Sequence, residues 1–384
     1  MQSPKLRFKD DDGSEYPAWE EMKLGDIGSV AMCKRVYKAQ TSTEGDVPFF
    51  KIGTFGGEPD AFISRELYES LRRKYSFPAK GTILLSASGT IGRQVVYNGE
   101  DAYYQDSNIV WLDHDNTVID DFLRQFYNVV TWQGLEGSTI KRLYNKMILE
   151  TSFNRPCFLE QHKIANLLSS VDEIIAAQQA EVEAWEMRKR GVMQQLFSQQ
   201  VRFEADDGSE YPTWEEKTLG ECCIYGKKRC GGGNYVGTDN MLQDFTGVRF
   251  DDDAETSGIA YEIGDVLMSN IRPYLKKVWW ADREGVCSTD VLVFHPTDIE
   301  SSYLHHLLAS DSFIAYVMSA AKGSKMPRGD KNHIMGMRLL KPCAEEQQKI
   351  ADCLSSFDEV IAKARAELEQ WRLLKKGLLQ QMFV

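Results

Sequence analysis

Apolar positions recur alternately four and three apart in two stretches of this chain. The first carries Ile164, Leu168, Val171, Ile175, Val182, Trp185, Val192 and Leu196; the second carries Ile350, Leu354, Phe357, Ile361, Leu368, Trp371, Leu378 and Met382. That spacing lays a narrow apolar seam along a helix, and over several heptads it predicts a coiled coil. Pro156–Phe197 and Pro342–Phe383 align without a gap, and neither Pro nor Gly interrupts the helical runs before Gly191 and Gly377. Roughly forty residues at 1.5 Å each make a rod of about 60 Å, long for a core helix. Two such seams in one chain bury most economically against each other, in antiparallel sense. The plainer alternative is a pair of amphipathic helices inside a larger bundle.

A second repeat opens each half: LRFKDDDGSEYPAWEEMKLG at Leu6–Gly25 matches VRFEADDGSEYPTWEEKTLG at Val201–Gly220. Asp-Gly-Ser and Tyr-Pro form turns, and Trp19 and Trp214 are large apolar anchors. Tyr16, Trp19, Tyr211 and Trp214 suit either a docking surface or burial within the chain. Between these repeats lie variable regions with alternating or short continuous apolar runs, such as Thr82–Ala87, Gln94–Tyr97, Val266–Ser269 and Val278–Trp280, which predict strands of mixed α/β domains. GTILLSASGTIGRQVVY at Gly81 lies over GDVLMSNIRPYLKKVWW at Gly264, and GSTIKR at Gly137 over GSKMPR at Gly323, so both regions are expected to share one fold. The expected class is α+β: two similar α/β domains separated by two long antiparallel coiled-coil helices, with an internal pseudo-twofold repeat and circular organisation that brings the C-terminus near the N-terminus. The bounds read as 1–155 for the first domain, 156–200 for the first helix, 201–341 for the second domain and 342–384 for the second helix. Trp185 and Trp371 are expected in interhelical packing. Gln178, Lys189 and Lys375 interrupt the seam and are candidates to hold its register.

The formal net charge of −12 argues against a nucleic-acid partner until its distribution is considered. Basic residues gather in equivalent loops of both halves. Lys34, Arg35, Lys38, Arg93, Lys141 and Arg142 stand in the first; Lys227, Lys228, Arg229, Arg272, Lys276, Lys277, Lys325, Arg328 and Lys331 stand in the second. A single charge run is usually a solvated face, but equivalent runs in both copies point to DNA, with Arg suited to guanine and Lys to phosphate. The eight cysteines follow no metal-ligand spacing, so reduced thiols and no metal are expected. Met1–Tyr16 is charged and no eighteen-residue apolar run exists, which favours a cytoplasmic protein without a leader or membrane span.

Autonomous catalysis finds little support. No (N/D)PP(Y/F) tetrapeptide and no GxxxxGK(S/T) loop occur, Pro59-Asp60 lacks a downstream Glu-x-Lys, and His305-His306 reads as a satisfied pair on a helix. A protein-only scaffold explains the heptads and the acidity but leaves the matched basic loops to coincidence.

The two copies of P-x-x-x-E-Q-x-K-I-A followed by L-S-S-x-D-E, at Pro156 and Pro342, and the G-(T/D)-(I/V)-L-x-S strands at Gly81 and Gly264, resemble the specificity subunits of type I restriction-modification enzymes. Cys157 and Cys343 stand after the proline, where the family's second proline is absent. The resemblance spans essentially the whole chain. It implies a non-catalytic subunit whose two target recognition domains each read one half of a split double-stranded DNA site. The helices would act as the ruler between half-sites about one helical turn, roughly 34 Å, apart. Because the two domains differ, the site is expected to be asymmetric. Two modification subunits would supply S-adenosylmethionine and base flipping, and restriction subunits would add translocation and cleavage with ATP and Mg.

Overall fold

The computed structural model describes residues 4–132, 142–245, 247–250 and 256–383. The chain divides into two compact units, one of residues 1–178 with 367–384 and one of residues 179–366. Each long helix therefore contributes to both units.

In the first unit, Ile83–Ser86 is buried at every position, as a short continuous apolar run requires of a central strand covered on both faces. It lies in an antiparallel sheet ordered Gly28–Ala31, Ile109–His114, Ile83–Ser86, Gln94–Val96. A smaller sheet joins Phe62–Ile63, Val47–Phe50 and Tyr103–Tyr104, the last pair parallel. One core lies with this second sheet around Phe49, Tyr68, Leu84 and Tyr103. Another joins the first sheet to the helix Asp120–Tyr127 and to Ile164, Leu168, Leu379 and Met382 of the long helices.

The second unit repeats this plan with different residues. Its four-stranded sheet runs Cys223–Tyr225, Val291–Pro296, Val266–Ser269, Val278–Trp280, with the central Val266–Ser269 again wholly buried. Arg229–Gly232, Thr256–Tyr261 and Gly285–Cys287 form the smaller sheet. The helices Ser301–Leu308, Asp311–Ser319 and Lys331–Met335 complete it.

The long helices span Phe158–Phe197 and Ala344–Phe383, 40 residues each. In the first unit Asp172 of one meets Lys375 of the other, and Leu6 N–H bonds the Gln381 carbonyl at 3.1 Å, so the chain ends are close. In the second unit Glu186 pairs with Arg365, Trp185 packs on Phe357 at 6.2 Å, and Lys189 pairs with Asp358. Rising numbers in one helix meet falling numbers in the other, so the helices run antiparallel within each unit. Lys189 and Lys375 thus hold the seam by interhelical ion pairs, at positions equivalent in the repeat. Ile164, Leu168, Val171, Val182, Ile350, Leu354, Ile361 and Leu368 are buried, while Ile175, Trp185, Phe357 and Trp371 are half-buried. Near the helix ends Met193 and Leu379 are buried, and the expected Val192 and Leu378 only half-buried. A straight helix drifts about 20° per heptad against a strict seven-residue repeat, which moves the buried stripe by one position.

The E-Q-x-K motif starts each long helix and clamps three segments at once. Glu160, with its side chain fully buried, accepts from Arg7 at 2.7 and 3.1 Å and from Trp19 Nε1 at 2.9 Å. Glu346 does the same with Arg202 at 2.7 and 3.0 Å and Trp214 Nε1 at 2.8 Å. Hydrogen bonding to these carboxylates raises the pKa of both guanidinium groups. Gln161 Oε1 accepts from Ile119 N–H at 3.0 Å and Gln347 Oε1 from Glu300 N–H at 2.7 Å, each tying the start of a domain helix. Lys163 and Lys349 reach Asp11 and Asp206, both at 2.6 Å. The opening segment also returns as a strand, Glu20–Lys23 on Ser152–Arg155 and Glu215–Thr218 on Arg338–Lys341. Tyr16 and Trp214 are accordingly buried, and Trp19 and Tyr211 half-buried.

Candidate nucleic-acid interface

In both units the turn that leaves the buried central strand meets the segment that enters the last short helix. In the first, Ser88 bridges Arg142, and Leu143 N–H bonds the Ala87 carbonyl at 2.8 Å. In the second, Ile271 bridges Arg328, and Arg272 N–H bonds the Pro327 carbonyl at 2.8 Å. These are the positions that the sequence repeat aligns. A turn anchored on a buried strand is a rigid platform for recognition side chains.

The first platform gathers two arginines around the turn 105–108, with a third, Arg93, held on Phe55. Arg142 donates to the Ser107 carbonyl at 2.8 Å, Arg35 pairs with Asp106 at 2.8 Å, and Arg93 donates to the Phe55 carbonyl at 2.8 Å. The Asp106 carboxylate raises the Arg35 pKa. Beside them opens a cleft of about 250 Å³ lined by Ile52, Phe55, Ser86, Ser88, Gly89 and Arg93. Lys34 is exposed over the Tyr75 ring at 5.0 Å, and Lys38 is exposed on the single turn Lys38–Gln40. Lys141 lies outside the described residues.

The second platform is built from residues 270–277 and 322–331. Lys276 pairs with Asp311 at 2.6 Å, Lys277 donates to the Thr238 carbonyl at 2.7 Å, and Arg328 reaches Asp290 at 3.3 Å. Lys322, which the sequence did not single out, pairs with Asp330 at 2.8 Å and helps to hold that carboxyl down at about 2. Its neighbour Lys325 is exposed, as is Lys331 at the start of the short helix. Lys227, Lys228 and Arg229 are also exposed, at the entry to the smaller sheet, with Arg229 on the strand Arg229–Gly232. Exposed Tyr274 and Met326 flank the second platform; neither carries a signal that distinguishes it from scattered surface residues. All eight cysteines are free, and burial pushes the Cys223 thiol up to about 12. Among the described residues no helix is long and apolar enough to cross a membrane.

The family described as type I restriction modification DNA specificity domain matches residues 17–184. A protein of Haemophilus influenzae, provisionally named a type I restriction enzyme specificity subunit, is 51% identical over 154 residues, which span 40% of each chain. The MjaVIII specificity subunit of Methanocaldococcus jannaschii is 23% identical across 97% of this chain and 94% of its own. Among solved structures, the type I restriction-modification S subunit of M. genitalium superposes over 100% of this chain and 99% of its own, with a TM-score of 0.59 at 16% identity. A chain from work on complex assembly and conformational transition of the type I R-M system covers 95% of this chain and 97% of its own, with a TM-score of 0.53 at 14% identity. These two likenesses are of fold. Residues 17–184 thus match a type I restriction modification DNA specificity domain, and across 97% of its length this chain is similar to a named specificity subunit.

Proposed function

We propose that each unit reads one part of a split DNA site through its platform, and that the long helices, which run through both units, set the gap between the parts. The carrying observation is that two platforms at equivalent places in the fold, anchored by equivalent bridges at Arg142 and Arg328, present different side chains. Equivalent placement gives both copies one task; different side chains give them different targets, hence an asymmetric site. Contacts from Lys and Arg to phosphate would fix register, while contacts to base edges would carry the sequence.

The same reading assigns this chain no catalytic step. Modification subunits docked on it would bring S-adenosylmethionine and extract the target base, and restriction subunits would bring ATP and Mg. The acidic overall charge favours partners that add cationic surface around the duplex. The test is to co-express the chain with its modification subunit and map methylated bases across a genome. A single split motif with a fixed unread gap is the expected result. A stable, active complex that modifies no defined motif would favour a protein-only scaffold.

A further inference from the structure

The two platforms differ most sharply at one backbone position. Where the first copy has Gly89 at φ +68°, the aligned residue of the second is Arg272 at φ +50° and ψ +61°. Glycine occupies this left-handed region freely, whereas an L side chain there is strained and needs its surroundings to hold it. Those surroundings are present. Pro273 follows and is buried, a one-turn helix Pro273–Leu275 closes with Leu275 N–H on the Arg272 carbonyl at 2.9 Å, and Arg272 N–H is fixed to Pro327. Asp244 and Phe245 N–H groups bond the Leu275 and Lys276 carbonyls at 3.2 and 2.9 Å. Asp244, Phe245 and Lys276 are left-handed too, so this one loop cluster holds four of the eight non-glycine residues with positive φ among those described.

Such a concentration of strain fixes the direction in which Arg272 leaves the chain. Its side chain is exposed, and among the described residues no hydrogen bond or ion pair engages its guanidinium, whereas Lys276, Lys277 and Arg328 beside it are tied to protein acceptors. A free, planar, two-pronged donor on a rigid backbone matches the O6 and N7 acceptors of guanine in the major groove. We propose that Arg272 is a specificity-determining residue of the second unit and reads a guanine directly. The first unit, with glycine at this place and a cleft beside it, reads its part of the site by other contacts.

This inference rests on the DNA-reading function proposed above, and the test separates the two. The full chain with its modification subunits is compared as wild type, Arg272→Gly and Arg272→Lys, by competition binding on duplexes changed one base pair at a time and by thermal melting. Arg272→Gly accepts the left-handed backbone and should melt close to wild type, while preference for one G·C pair falls about fivefold or more and preference elsewhere stays. Arg272→Lys keeps the charge without the fork and should lose the same preference. Unchanged preference in both variants, or a loss uniform across all DNA, overturns the assignment of Arg272 while leaving the proposed function standing. A wild-type complex with no sequence preference overturns both.

Discussion

Arg202→Ala should remove the clamp that ties the second opening segment to the start of the second long helix. Glu346 is fully buried on its side chain, Arg202 is 28% exposed, and the pair shares two hydrogen bonds. Breaking a buried pair by removing one partner costs about 3–5 kcal/mol, because the remaining charge is stranded. The partial exposure of Arg202 and the surviving Trp214 bond place the expected loss near the lower end, about 3 kcal/mol. For a unit of this size that lowers Tm by roughly 6–12 °C. Calorimetric melting of wild type and variant at pH 7 measures this, with Arg7→Ala as an internal replicate on the equivalent clamp of the first unit. A shift below about 2 °C would refute the reasoning.

His306 is 1% exposed, hydrogen-bonded to Ser355 and next to His305 and Lys189, and burial first, then these two neighbours, depresses it to about 2. Its folded pKa lies below the unfolded value, so stability is complete above about pH 6.5 and falls by about 2 kcal/mol between pH 6.5 and 5. His306→Gln, which copies Gln125 of the first unit, should abolish that share of the acid sensitivity, read from the pH dependence of Tm. Reversing either Lys189 or Asp358 alone should cost about 1–2 kcal/mol, and reversing both should recover most of it in a double-mutant cycle. A Cβ at helical Gly191 or Gly377 meets nothing within 4 Å, so alanine at either place should raise stability by about 0.5–1 kcal/mol, visible as a higher Tm. Inserting one heptad into each long helix should lengthen the unread gap in the methylated motif, whereas an unchanged gap would contradict a rigid spacer.

The long helices were legible because a 3.5-residue apolar period constrains the backbone locally, and their duplication made the plan of two halves visible. The buried central strands were legible for the same reason, as short apolar runs. The partners of the E-Q-x-K motif were not. Glu160 meets Arg7 and Trp19 more than 140 positions away, and no local rule connects residues at that separation. The sequence grouped fourteen other basic residues with Arg272 on charge alone. Folding sorted them: carboxylates or carbonyls engage Arg35, Arg93, Arg142, Lys276, Lys277 and Arg328, while the guanidinium of Arg272, on a strained turn, has no partner among the described residues.

By itself, then, the amino-acid order determined the duplicated plan, the helical seam and the location of the cationic loops. Each of these is a periodicity or a composition, which short-range chemistry sets. Only the tertiary structure decided which cations are occupied, where the seam drifts onto Met193 and Leu379, and that an arginine stands where its twin has a glycine's backbone. Those outcomes depend on hydrogen bonds and packing between segments far apart in the chain, and they exist only once the segments have met.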